Sequence, residues 1–227
     1  MVIHQQRQFE KLKQLIRDLG RRTQEQFDAA MQAVEARDED LAREVIAADE
    51  AINRMEIEIE EECLHTLALY QPVAFDLRYV VSVLKINNDL ERIADQAVNI
   101  AEQARFLSTE PPVELVPYDM RGMAEHVKTM LGDALEALIQ MDVDRADRVR
   151  AADEQVDAIH REMYANVERA IMAHPDQAPQ LIHLMNISRQ LERTADLTVN
   201  IAEDVLYTVR GDIIRHAADQ ASPAEGA

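Results

Sequence analysis

The sequence predicts an all-α protein, a tandem repeat of two antiparallel three-helix bundles. Three observations carry this. Of 227 residues only five are Gly and seven Pro, and the dominant Ala, Leu, Ile, Glu, Arg, Gln and Met are, Ile apart, strong helix formers. Apolar residues recur at the three-to-four spacing of an amphipathic helix almost throughout. The chain also spells one segment twice: LERIADQAVNIAE at 90–102 and LERTADLTVNIAE at 191–203, identical at ten of thirteen positions.

The elements follow in order. Phe9, Leu12, Leu15, Ile16 and Leu19 form the apolar stripe that opens a first helix over 5–36. The acidic break RDED, with Asp as N-cap, starts a second over 39–69. QPVAFD, where Pro interrupts the helix, separates it from a third over 74–107. STEPPVELVP (108–117) holds three prolines in ten residues without periodicity and reads as the linker between the halves. A fourth helix over 118–140 ends at MDVD, a fifth spans 143–173, and HPDQAP leads into a sixth over 177–209. A helix of thirty residues is about 45 Å long.

The repeat extends beyond the doubled segment. AADEAINRMEIE (47–58) matches AADEQVDAIHRE (151–162), and AMQAVEARD (30–38) lies under ALEALIQMD (134–142), both at an offset of 104, whereas the doubled segment repeats at 101. The second copy is three residues shorter, and the loss falls near the joint between its last two helices. Three amphipathic helices close a core by presenting an apolar stripe to one another. This gives a first bundle over 1–109, a second over 116–212, and a tail over 213–227 that is expected to be disordered.

The formal net charge of −19 argues against nucleic acid and against anionic lipid as partners, and favours basic proteins and cations. Cys63 is the one cysteine, so no disulfide closes within the chain. The first residues carry no apolar signal core, and no stretch approaches the ~20 apolar residues of a membrane span. The expectation is a cytoplasmic protein, peripheral to a membrane at most, and a homodimer through apolar helix flanks.

The acids have a pattern. Glu91 and Asp95 stand at i and i+4 on one helix face, and Glu102 follows about 20° away. On the second helix Asp49, Asn53, Glu56 and Glu60 form a stripe close to the apolar face defined by Val45, Ile52, Ile59 and Cys63. Because the second and third helices of each unit are antiparallel neighbours, Asp49 and Glu56 come towards Glu91 and Asp95, and Asp153, Asp157 and His160 towards Glu192 and Asp196. Carboxylates converging at a half-buried seam repel and desolvate one another. The residues leave three readings open: a solvated acidic face, pairing with arginines such as Arg92 and Arg193, or a hard cation such as Mg, Ca, Mn or Fe, with Zn admitted by the histidine. Other candidates fall away. Glu62 and His65 form one Glu-x-x-His element, but the matching positions are Asn166 and Arg169, and a di-iron bundle needs two. Cys63 sits at core spacing without a catalytic partner, and there is no Gly-rich phosphate loop.

With ERIADQAVNIAE, ERTADLTVNIAE and QPVAFDLR set in this helical context, residues 1–210 resemble the PhoU family of phosphate-transport regulators. The resemblance implies paired three-helix bundles and a repeated motif of an acid, three spacers and Asp that holds multinuclear clusters of iron or zinc. By resemblance the motif falls on Glu91 with Asp95, Glu192 with Asp196, and Asp153 with Asp157. The fourth copy starts at Asp49 but has Asn53 for its second acid, which implies a weaker first site. The resemblance also implies a phosphate ABC transporter and a sensor histidine kinase as partners, repression of the phosphate-starvation response, and no catalysis. The rival reading is an acidic helical scaffold without bound metal.

Overall fold

A computed structural model describes residues 2–212, so the expectation for 213–227 lies outside the described residues. Six long helices make up the structure: α1 (Val2–Ala36), α2 (Glu39–Tyr70), α3 (Ala74–Thr109), α4 (Met120–Gln140), α5 (Val143–Ala173) and α6 (Ala178–Arg210). No strand occurs among the described residues. The all-α tandem repeat is borne out, and each helix boundary falls within three residues of its expected place.

The acidic breaks work as caps. Asp38 and Asp142 each accept a hydrogen bond at 3.0 Å from the backbone N–H three residues on, at Leu41 and Arg145. Asp119 caps α4 in the same way through Gly122 N–H at 2.9 Å. Each satisfies one of the donors that a helix start leaves open. At the far end of α6, Gly211 adopts φ 85° and returns its N–H to the Tyr207 carbonyl, a left-handed cap that glycine takes without steric penalty.

The shortened joint is resolved in detail. At an offset of 101, the 3₁₀ turn Pro175–Gln177 occupies the place of the first turn of α3, Ala74–Asp76. The second copy absorbs its deletion by tightening that turn and starting α6 late.

Within each unit the helices pack around an aliphatic and Met core: Leu12, Ile16, Phe27, Ile59, Ile86 and Ile93 in the first, Met123, Met130, Leu131, Met163, Ile187 and Ile201 in the second. The units also pack on each other, which the sequence did not reveal. α3 and α6 run antiparallel in one register, with Arg78 donating to the Thr208 carbonyl (3.1 Å), Ser82 to the Asp204 carbonyl (3.3 Å), and His183 hydrogen-bonded to Gln103 (2.7 Å). The last two pairs occupy equivalent places under the repeat, as an approximate two-fold axis between the units requires. α1 and α4 meet antiparallel as well, through Lys128–Asp28 (3.0 Å) and a bidentate Arg121–Glu35 pair. Gly20 permits their approach, since a Cβ there would stand 2.5 Å from Leu135. With α1, α3, α4 and α6 engaged between the units, α2 and α5 are outermost, and the seams α2/α3 and α5/α6 lie on the outside of the molecule.

Candidate metal centres at two acidic seams

Each seam is built by an outer helix laid antiparallel on an inner one. In the first, Asn87 of α3 donates from Nδ2 to the Glu56 carbonyl (2.9 Å) and to Glu56 Oε1 (3.3 Å). In the second, His160 Nδ1 and Ser188 Oγ are hydrogen-bonded at 3.0 Å. These contacts occupy equivalent places, so the α2/α3 and α5/α6 registers are the same. That register sets Asp49 opposite Glu91 and Asp95, and Asp153 opposite Glu192 and Asp196.

The electrostatics show the convergence. Burial, then the Asp95, Glu56 and Asp49 charges, push the Glu91 carboxyl above its usual range. Asp95 is raised by burial and Asp49, against the opposing pull of Arg92. In the second seam Asp153 is pushed up to about 6 by burial and then by Asp157, Asp196 and Glu192. Asp196 also reaches about 6, by burial, then Glu192 and Asp157, with His160 lowering it. Glu192 is raised by burial and by Asp157. Asp196 has an open side to solvent, yet its carboxylate still loses enough water beside these neighbours to hold a proton at a higher pH than a free aspartate does.

Of the sequence-predicted residues, Asp49, Glu91 and Asp95 are brought together in one seam and Asp153, Asp157, Glu192 and Asp196 in the other. Glu102 stays exposed on α3, apart from them. The arginines do not resolve the repulsion: Arg92 pairs with Asp89 at 3.7 Å, and Arg193 makes no ion pair among the described residues. Of the seam acids Asp157 alone forms an ion pair among the described residues, with Arg161 at 3.5 Å, which Glu154 shares; Arg92 pulls on Glu91 and Asp95, and Arg193 and Arg189 on Glu192, from further off. Asn53 donates Nδ2 to Asp49 Oδ2 at 3.0 Å, so the amide in the fourth motif quiets one carboxylate of the first seam.

The same atom is orphaned in both units. Asp49 Oδ1 and Asp153 Oδ1 are buried without a hydrogen-bond partner, and Asn53 Oδ1 is a third such atom in the first seam. A buried acceptor left unpaired costs about 1–3 kcal/mol, and it recurs at equivalent positions in a seam of oxygen donors. The donor chemistry therefore fits a hard cation, with an imidazole beside the second seam. Among the described residues no three His, Cys, Asp or Glu side chains are yet drawn together as a ligand shell, so a cation would have to gather these side chains by rotation.

Asn87 and Ser188 were missed at the level of sequence. Their signal was there: a polar side chain at matching places in the two helices, between apolar neighbours Ile86 and Leu90 in one and Ile187 and Leu191 in the other.

The molecule is thus a duplicated helical domain carrying an acidic seam in each copy. The PhoU domain profile matches residues 16–104 and 120–205, one match per unit. The phosphate-specific transport system accessory protein PhoU homolog of Aquifex aeolicus is 36% identical over 211 residues, covering 92% of this chain and 95% of that protein. The homolog of the same description from Pseudomonas aeruginosa is 35% identical over 198 residues, covering 87% and 82%. The crystal structure of PhoU from Pseudomonas aeruginosa superposes with a TM-score of 0.89 at 33% identity, over 91% of this chain and 99% of that one. The phosphate transport system regulatory protein PhoU from Streptococcus pneumoniae gives 0.79 at 30%, over 90% and 96%. This chain belongs to the PhoU family.

Proposed function

We propose that this protein is a non-enzymatic regulator of phosphate uptake and phosphate-starvation signalling that acts with a phosphate ABC transporter and a sensor histidine kinase. The observation that carries the reading is the match of both units, over nearly the whole chain, to relatives named as accessory proteins of the phosphate-specific transport system. In this reading the protein is cytoplasmic and works at the inner face of the membrane as a homodimer. No helix among the described residues is long and apolar enough to cross a membrane, in keeping with a peripheral role. Deleting the gene should derepress phosphate-starvation genes at high phosphate, and restoring the full chain should repress them again. Unchanged expression in the deletion strain overturns the reading.

The seams belong to the same proposal. Asp49, Glu91 and Asp95 would hold cations in the first, and Asp153, Asp157, Glu192 and Asp196 in the second, as multinuclear iron or zinc or as Mg, Mn or Ca. A bound cation would neutralise the acids and tie the outer helix of each unit to the inner one. The second seam binds more tightly in this account, because it offers four carboxylates where the first offers three and a neutral amide. In the rival scaffold reading the acids are only solvated, and water would satisfy the Asp49 and Asp153 oxygens.

A further inference from the structure

The repeat also exposes a difference between the units that the seams do not use. Among the described residues, six of the twelve exposed large apolar side chains fall within 57–77: Ile57 (54% exposed), Leu64 (54%), Leu69 (62%), Val73 (74%), Phe75 (44%) and Leu77 (41%). Ile57 and Leu64 are i and i+7 on the outward side of α2, about 140° from the stripe that Ile52, Ile59 and Cys63 bury. Leu69 lies about 130° round α2 from that line, and Val73, Phe75 and Leu77 occupy the α2–α3 joint and the start of α3.

The second unit acts as an internal control. At its offsets of 104 and 101 these six positions carry Arg161, Glu168, Ala173, His174, Asp176 and Ala178. Every large apolar side chain has become charged, polar or small, although the buried positions between them stay apolar (Ile59 with Met163, Cys63 with Val167). The fold therefore does not require the first unit's apolar residues. The tip backbone differs as well: Gln71 and Ala74 hold φ at 45° and 50°, a region that non-glycine residues enter at a steric cost and that persists where surrounding structure enforces it. His174, at the equivalent joint, has φ −133°.

Charge indicates what would cover the patch. Glu60 and Glu61 flank the Ile57–Leu64 line within about 60° on either side, and with Glu58 they are exposed and make no ion pair among the described residues. Of the nearby cations, Lys11 binds Glu62, Lys13 pairs with Glu10 and Arg78 donates to the Thr208 carbonyl, while Arg17, beside Phe75, makes no ion pair among the described residues. A second copy of a chain with net charge −19 would meet like charge here, and so would an anionic lipid surface.

We propose that the outward face of α2 and the α2–α3 tip of the first unit dock a basic amphipathic helix of a partner protein. Its apolar side would seat on Ile57, Leu64 and the tip residues, while Lys or Arg on its flanks meets Glu58, Glu60 and Glu61, the helix-in-groove mode of recognition. The second unit offers no equivalent dock, so one copy of the chain takes one such helix. The inference rests on this patch and is independent of metal at the seams and of the phosphate reading.

The test uses the full chain and a labelled, amidated 18-residue peptide with Leu at i, i+3, i+4 and i+7 spacing and Lys elsewhere, followed by fluorescence anisotropy in 150 mM salt. The perturbed protein is Leu64→Glu/Val73→His, which installs the second unit's own residues, with thermal melting to confirm folding. Affinity should fall at least tenfold even though position 64 gains a negative charge that by itself favours a basic peptide. Met172→Gln, at an exposed position of the second unit, should bind as wild type does, and the peptide with Glu for every Lys should not bind. Equal binding by the double variant, or equal binding of the acidic peptide, overturns the proposal. So does a wild-type dimer that the double variant dissolves in sedimentation, which would assign the patch to a second copy. Patch-dependent binding to phosphatidylcholine–phosphatidylglycerol vesicles without peptide binding would assign it to a membrane and overturn it equally.

Discussion

Replacing Asp153 with Asn should stabilise the protein at neutral pH in the absence of metal. Asp153 is held at about 6, well above the ~3.9 of a free aspartate. A carboxyl raised by that much corresponds to about 3 kcal/mol between its protonation states, and screening by solvent on its open side reduces the effective penalty to about 1.5 kcal/mol. The sign follows from proton binding. Between pH ~4 and ~6 the folded state holds a proton that the unfolded state has released, so stability falls as pH rises through this window and the penalty is complete above about 6. An amide carries no charge at any of these values. It can also donate to a neighbouring carboxylate, as Asn53 does to Asp49 in the first seam. Urea unfolding in chelator should therefore show Asp153→Asn more stable than wild type by about 1.5 kcal/mol at pH 8, with the difference closing towards pH 4.5. Saturating divalent cation should reverse the order, because a ligand at 100 times its Kd adds about 2.7 kcal/mol to the protein that binds it. A variant no more stable than wild type at pH 8, or equally stabilised at both pH values, would refute the reasoning.

Other expectations follow from particular contacts. Arg37→Ala removes hydrogen bonds to the Leu107 and Glu110 carbonyls at the end of α3, and should lower stability by about 1–2 kcal/mol in urea titration. Ile93→Ala, in the core of α3 with no exposed surface, should cost about 2–5 kcal/mol by the same measurement. Cys63 is buried, with its thiol pushed up to about 12 by burial and then by Glu62 and Glu60, so a disulfide-exchange reagent should react with it at pH 8 only at the rate of unfolding. Lys85→Met removes the cation 3.2 Å from buried Asp204 at the junction of the units, and should lower the melting temperature in thermal unfolding.

The elements of this fold were legible because their signals are local. Asp38 and Asp142 announced helix starts, QPVAFD and HPDQAP announced joints, and the drop in offset from 104 to 101 located the joint at which the second copy is three residues shorter. The seams were legible for a related reason: helical periodicity fixes which acids share a face, and a short antiparallel joint fixes which faces meet. What periodicity does not encode is contact between elements far apart in the chain. The union of α3 with α6 rests on Ser82, Gln103, His183 and Asp204, none of which stands out from an amphipathic pattern when read alone. Nor does the sequence show where a guanidinium settles: Arg92 stands beside Glu91 in the chain but reaches Asp89, one turn back. The apolar tip was hidden for another reason. Val73 and Phe75 read as ordinary helix-joint residues until their exposure is known, and only comparison with His174 and Asp176 makes them anomalous.

The central claim, that the two acidic seams hold cations unequally, is most directly tested by metal stoichiometry. Chelator-stripped, untagged full chain should be loaded separately with Fe, Zn and Mn, dialysed, and analysed for bound metal alongside Glu91→Ala/Asp95→Ala and Glu192→Ala/Asp196→Ala. The account predicts that wild type retains metal, that the second double variant loses the larger and tighter share, and that the first loses the remainder. Wild-type stoichiometry in both variants would make the acids a solvated face, and a larger loss from Glu91→Ala/Asp95→Ala would contradict the order of the two sites.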